Sequence, residues 1–119
     1  MGNRLNGFGA CSAEVKKACP VEMTLHIIGG KWKGIIIDIL SQKPVRFNEL
    51  KRFIPGITQR MLTLQLRELE ADGVVKRNVE NTVPKKVEYS LTELGEKLSP
   101  IIASMRIWGN EYMRKNERK

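Results

Sequence analysis

The chain of 119 residues is 41% hydrophobic and carries a net charge of +8, which leaves room for one soluble domain and favours a polyanionic partner. Its longest apolar run, residues 34–40, is broken by Asp38 and is too short to cross a membrane, and residues 1–10 lack the hydrophobic block of a signal peptide. We therefore expect a cytoplasmic protein with no membrane partner.

Two helices are predicted after a flexible amino-terminal tail, residues 1–18. An apolar face followed by a glycine pair predicts the first helix over Pro20–Ile28. The second is predicted over Lys31–Ser41, and its apolar stripe should lie in the middle of the core. The stripe consists of Trp32, Ile35, Ile36, Ile39 and Leu40.

A short helix, a tight turn and a longer helix are predicted next. Val45-Arg46 suggests a stub of strand, residues 48–53 a short helix, and Pro55-Gly56 a turn. A fourth helix is expected over residues 58–72, with Thr58 as its N-cap and a glycine directly after it.

Beyond residue 74 the apolar period changes from helical to alternating, which predicts a β-hairpin. Its strands should cover residues 75–80 and 87–91, with a polar tip at Asn81-Thr82 and basic residues nearby. Thr92 is expected to cap a terminal helix, in which Pro100 should produce a kink.

The fourth helix has the division of faces that a DNA-recognition helix requires. Leu62, Leu66 and Leu69 form its buried stripe, and the acidic side chains are confined to its far end. Another face carries side chains that can pair with guanine, adenine, phosphate or a thymine methyl group. These candidate DNA contacts are Thr58, Gln59, Arg60, Thr63 and Arg67.

The hairpin completes a winged helix-turn-helix, so the predicted fold is mainly α with a small β-hairpin wing. In isolation, the polar face of the fourth helix would be read as solvated surface. The turn before it and the basic wing after it instead favour double-stranded DNA as the partner. Phosphate contacts from the wing are expected at Arg77, Asn78, Lys85 and Lys86.

The terminal helix carries an apolar seam at alternating spacings of four and three. The seam consists of Leu94, Leu98, Ile101, Met105, Trp108 and Tyr112, and Ile102 broadens it. One interpretation is that the seam packs on its own domain. Because a domain this small has difficulty covering so long a seam, we expect a homodimer on a palindromic site. The predicted interface residues are Ile101, Ile102, Met105, Trp108 and Tyr112, followed by a basic tail at residues 114–119.

Other classes of function are disfavoured. The chain has one histidine and no glycine-rich phosphate loop or nucleophile–base pair, so we expect no enzyme, no catalytic residues, no metal and no cofactor. The remaining alternative is a winged helix that binds protein or RNA without sequence-specific DNA binding. That use would predict apolar or aromatic residues on the exposed face of the fourth helix or on the wing.

The two cysteines, Cys11 and Cys19, fit no metal motif. Cys19 precedes Pro20 and is therefore the expected N-cap of the first helix. The helix dipole and the two lysines just upstream favour its thiolate, the form that reacts with oxidants and electrophiles. One hypothesis is that Cys19 is a redox or electrophile sensor; the alternative is a structural cysteine.

Six segments of the sequence resemble the HxlR family of transcriptional regulators. They are CPVE at 19–22, IGGKWK at 28–33, RFNEL at 46–50, ITQRML at 57–62, LRELEADG at 66–73 and VEYSLTELG at 87–95. The resemblance extends from Cys19 to Tyr112 and implies a cytoplasmic, homodimeric winged-helix regulator of MarR-like architecture that dimerises through its terminal helices. Some family members sense oxidants or small molecules with a cysteine at the start of the first helix, which matches Cys19. The operator, the effector and the sign of regulation do not follow from the resemblance.

Overall fold

A computed structural model describes residues 19–117, and the chain divides into two compact units between Gly30 and Lys31. The described part of the first unit contains one helix, α1 (Pro20–Ile28), which matches the predicted bounds. The elements of the second unit are α2 (Lys33–Leu40), β1 (Val45–Arg46), α3 (Phe47–Phe53), α4 (Gln59–Ala71), β2 (Val75–Glu80), β3 (Lys86–Leu91), α5 (Glu93–Glu96) and α6 (Ser99–Glu117). The predicted tail at residues 1–18 lies outside the described residues. No helix within 19–117 is both long and apolar enough to span a membrane.

The three strands form one antiparallel sheet in the order β1–β3–β2. In the hairpin of β2 and β3, Val75 lies opposite Leu91 at the base and Glu80 opposite Lys86 toward the tip. Only the base residues are buried, so the outer half of the hairpin is exposed on both faces. This hairpin is the wing, and the predicted winged helix-turn-helix fold is confirmed.

The predicted apolar stripe of α2 is wrong in part. Ile36 and Leu40 are buried as expected, but Ile35 is 44% exposed and Ile37 takes a fully buried place in the core. Residues 35–39 are isoleucine at four of five positions. Its one polar residue, Asp38, gives too little contrast for a helical period to identify the inner face.

The terminal segment forms two helices rather than the single kinked helix that the sequence predicted. The amides of Lys97 and Leu98 donate to the carbonyls of Leu94 and Gly95, three residues back, and α5 ends at Glu96. The second helix, α6, begins at Ser99. Pro100 therefore lies in the first turn of a new helix, where its missing N–H leaves no helical hydrogen bond unmade.

The start of α5 is held against the end of α4. The Thr92 hydroxyl accepts from the Gly95 amide at 3.0 Å and donates to the Gly73 carbonyl at 2.6 Å, and the Thr92 amide donates to the Val74 carbonyl at 3.0 Å. A Cβ atom on Gly95 would lie 2.1 Å from that Val74 oxygen, so only glycine fits. Gly73 has φ +77°, the left-handed conformation expected of the residue that ends a helix.

Candidate nucleic-acid interface

Local sequence rules set the position of α4. Gly56 has φ +87° in the turn that precedes the helix. The Thr58 hydroxyl accepts a hydrogen bond from the Met61 amide at 3.0 Å, so Thr58 is the N-cap that the sequence predicted. Three leucines of α4, namely Leu62, Leu66 and Leu69, are buried. Burial of this stripe leaves the opposite face of α4 in solvent.

The solvent face of α4 carries the predicted DNA contacts. Gln59, Arg60 and Arg67 are exposed, and Thr63 is partly buried on the flank that faces the wing. The Thr63 hydroxyl donates to the Gln59 carbonyl at 2.9 Å. Thr63 therefore offers a methyl group and oxygen lone pairs to a ligand, whereas Arg60 and Arg67 offer their guanidinium donors.

A cleft of about 530 Å³ separates α4 from the wing. Arg67 lies on its helix wall and Arg77 on its wing wall, so two predicted contacts meet in one cleft. Glu70 lines the end toward the carboxyl terminus of the helix. The full lining is Phe47, Gln59, Thr63, Arg67, Glu70, Arg77, Val87 and Tyr89.

A second cleft, about 770 Å³, lies between the β1–α3 corner and the tip of the wing. It contains the predicted contacts Lys85 and Lys86, together with three cations that the sequence analysis missed. These are Lys43, Arg46 and Arg52. Phe47 and Val87 line both clefts, which are therefore neighbours. The available signal was that the first helix of a helix-turn-helix crosses the DNA backbone, which makes basic residues in and just before it candidates for phosphate contacts.

The cations of the two clefts form no salt bridge within residues 19–117, although Glu70 lines the first cleft and Glu49 and Glu88 line the second. Within residues 19–117 the salt bridges are Lys33–Glu68, at 2.8 Å, and Arg106–Asp38. Neither bridge involves a cation that lines a cleft. Because the cations of each cleft outnumber its carboxylates and none is held in a salt bridge, an excess of positive charge is available to a polyanion.

Asn78, a predicted contact of the wing, forms a hydrogen bond within the sheet. Its side-chain amide donates to the Ser90 hydroxyl at 3.1 Å, from β2 to β3. Ser90 is buried, and the hydrogen bond satisfies a polar group at the base of the wing. The neighbouring Arg77 points to the cleft, because successive residues of a strand face opposite sides.

One face of α6 is apolar and exposed. Ile101, Met105, Trp108 and Tyr112 follow one another along this face, with exposed fractions of 42–66%, and the Trp108 and Tyr112 rings stack with their centroids 5.3 Å apart. Ile102, also predicted to lie in a dimer interface, is instead buried within the chain. Its position next to the seam turns it toward the side of α6 that packs on α2.

Cys19 is the N-cap of α1, as predicted, and Pro20 occupies the first turn. The Cys19 side chain is buried and disulfide-bonded. Cys11 lies outside the described residues. Among the described residues, no group of three or more potential metal ligands comes together, and His26 is exposed on α1.

A model of the HxlR-like helix-turn-helix family matches residues 27–117. The chain belongs to this family. The HxlR-like protein is 62% identical over 94 residues to YybR of Bacillus subtilis (strain 168), an uncharacterized HTH-type transcriptional regulator, covering 79% of this chain and 75% of that relative.

Two solved structures of a related regulator are similar to most of this chain. The redox regulator HypR in its reduced form is 57% identical with a TM-score of 0.79, over 84% of this chain and 99% of that one. Its oxidized form is 61% identical with a TM-score of 0.75, over 78% of this chain and 96% of that one. This HxlR-like protein is a DNA-binding regulator of transcription.

Proposed function

We propose that the protein is a cytoplasmic regulator that binds a palindromic double-stranded DNA operator as a homodimer, and that oxidation at Cys19 alters this binding. The observation that carries the first part is the solvent face of α4. It presents side chains that have the chemistry to pair with base edges, next to two clefts lined by cations that form no salt bridge with any carboxylate of residues 19–117.

In the proposed complex α4 enters the major groove. Arg60 and Arg67 contact guanine edges, and Gln59 contacts adenine. The cations at the tip of the wing and at the β1–α3 corner, which line one cleft, bind phosphates of the DNA backbone next to the groove. Phosphate contacts give affinity and salt dependence, whereas contacts to the base edges give the choice of sequence.

The homodimer is proposed from the exposed apolar face of α6. A stacked Trp108–Tyr112 pair in water is a surface that a second copy of the chain would cover. A two-fold dimer would present two copies of α4 to half-sites about one helical turn apart. Trp108→Asp tests this, because the exposed side chain can change without loss of the fold. We expect monomers by sedimentation, and an unchanged dimer would contradict the interface.

The decisive test of DNA binding is selection of the reduced protein against a randomised duplex library. We expect an enriched palindrome. Arg60→Ala and Arg67→Ala should each weaken binding to it by about 1–3 kcal/mol and leave binding to random duplex less affected. Lys97→Ala, at an exposed position outside both clefts, is the matched control. If no sequence is enriched, the alternative of a protein- or RNA-binding module takes its place.

The redox part is supported by two observations. Cys19 is disulfide-bonded, and the related HypR is a redox regulator known in reduced and oxidized forms. In the proposed reaction the Cys19 thiol and a second thiol lose two electrons and two protons to a hydroperoxide. The products are the disulfide, water and an alcohol, and a dithiol reverses the reaction by exchange.

The test compares Cys19→Ser with Cys11→Ser, the chain's other cysteine. Operator affinity is measured before and after treatment with hydroperoxide, and peptide mass mapping identifies the second sulfur. We expect the response to be lost in Cys19→Ser. A Cys19→Ser variant that responds like the parent protein would remove the sensing proposal and leave the DNA-binding proposal unaffected.

A further inference from the structure

The solvent face of α4 contains one large apolar side chain that the predicted set of DNA contacts did not include. Leu64 is 46% exposed. Arg60 lies four residues before it and Arg67 three residues after it, so both flank Leu64 on the same face of the helix. With Gln59, Arg60, Thr63 and Arg67, Leu64 lines a groove on this exposed face.

From this arrangement we infer that Leu64 reads a thymine in each half-site of the operator by contact with its 5-methyl group. The inference rests on the proposed function, since it requires α4 to enter the major groove. Thymine alone among the four bases presents a methyl group there, and an apolar side chain is its natural contact. Leu64 would therefore supply a component of sequence choice that the arginines and Gln59 cannot.

An exposed leucine on a helix is common, and exposure alone would indicate nothing. The surroundings of Leu64 are what distinguish it. The other four side chains that line its groove are polar, and two of them are arginines. One leucine in such a setting offers too small an apolar area to bind a protein. The edge of a thymine fits it better, because that edge carries hydrogen-bonding atoms for the polar side chains and a single methyl group for the leucine.

The geometry also indicates where the thymine should lie. Arg60 and Arg67 are about 10 Å apart along the helix axis at a rise of about 1.5 Å per residue. That distance corresponds to about three base-pair steps of roughly 3.4 Å each. Leu64 lies between the two arginines, so we expect the thymine between, or next to, the base pairs that the arginines contact.

The experiment uses the full-length reduced protein and the operator obtained by selection. Each thymine of one half-site is replaced in turn by deoxyuracil, which removes the methyl group and keeps base pairing. At one position we expect about four-fold weaker binding, which corresponds to one buried methyl group. Leu64→Ala should bind the thymine and deoxyuracil duplexes equally at that position, and should retain the parent's discrimination at the others.

Leu94→Ala, the same change at an exposed leucine outside the groove, is the matched control. Thr63→Ser tests the competing methyl group in the groove, because it removes the threonine methyl and keeps the hydroxyl. If the discrimination persists in Leu64→Ala, disappears in Thr63→Ser or Leu94→Ala instead, or occurs at no thymine, the role of Leu64 is refuted while the DNA-binding proposal stands. If no operator is selected, the proposed function itself fails, which is a separate outcome. Urea denaturation of Leu64→Ala verifies that the variant is folded.

Discussion

Gly95→Ala should destabilise the protein, although alanine is ordinarily the better residue in a helix. The new Cβ atom would lie 2.1 Å from the Val74 carbonyl oxygen, whereas ordinary van der Waals contact begins at about 3.4 Å. The obstacle is backbone, so no flexible side chain can move aside. The start of α5 would have to retreat by about 1 Å from the end of α4.

The magnitude follows from three contributions. Overpacking of this kind costs about 1–3 kcal/mol. The retreat also stretches the 3.0 Å hydrogen bond from the Thr92 amide to the Val74 carbonyl, which is worth about 1 kcal/mol. Against these, replacing glycine by alanine in a helix gains about 0.5–1 kcal/mol. The expected net loss is about 2 kcal/mol in the free energy of unfolding.

Gly109→Ala is the matched control, because a Cβ atom there meets nothing within 4 Å and the position is inside α6. It should stabilise the protein by about 0.5–1 kcal/mol. Both variants are measured by urea denaturation at the same protein concentration, since dimerisation would otherwise shift the midpoint. If Gly95→Ala is as stable as the parent protein, the contact between α5 and the end of α4 does not constrain the fold as argued.

Three further outcomes are expected. Glu68→Ala should lower the free energy of unfolding, measured by urea denaturation, by about 1–3 kcal/mol, because it leaves the largely buried Lys33 ammonium unpaired. Lys33→Met, which removes the charge itself, should lower it by less than about 1 kcal/mol. Equal losses in the two variants would contradict this reasoning. Thr58→Ala should lose about 1 kcal/mol of stability with the N-cap hydrogen bond; an unchanged unfolding midpoint would show that the cap is not needed. Lys85→Ala with Lys86→Ala should reduce the slope of log affinity against log salt by about 2; an unaltered slope would remove both lysines from the interface.

The parts of the fold that local rules determine could be predicted. The Thr58 cap, the Pro55-Gly56 turn and the leucine spacing of α4 are signals within a few residues of one another, and they identified the helix and its buried face. The β-hairpin of the wing was predicted in the same way, from the alternation of apolar and polar residues along its two strands. These signals are local because capping, turn conformation and helical period involve only neighbouring residues.

The parts that depend on distant pairing could not be predicted. Arg46 joins the second cleft because β1 pairs with β3, where Arg46 lies opposite Glu88. Nothing near Arg46 in the sequence specifies that partner. Likewise, the use of Asn78 to satisfy Ser90 depends on two strands that meet only in the fold, and Ile37 could be placed inside only after the neighbours of α2 were known.

Two salt bridges connect α2 to both α4 and α6. Lys33, at the start of α2, is paired with Glu68 on α4, and Asp38, near its end, is paired with Arg106 on α6. An eight-residue helix is about 12 Å long, so a tilt of about 5° imposed at one end displaces the other by about 1 Å. If two chains join through α6, as proposed, such a tilt of α2 would change the spacing between the two copies of α4 by a comparable amount.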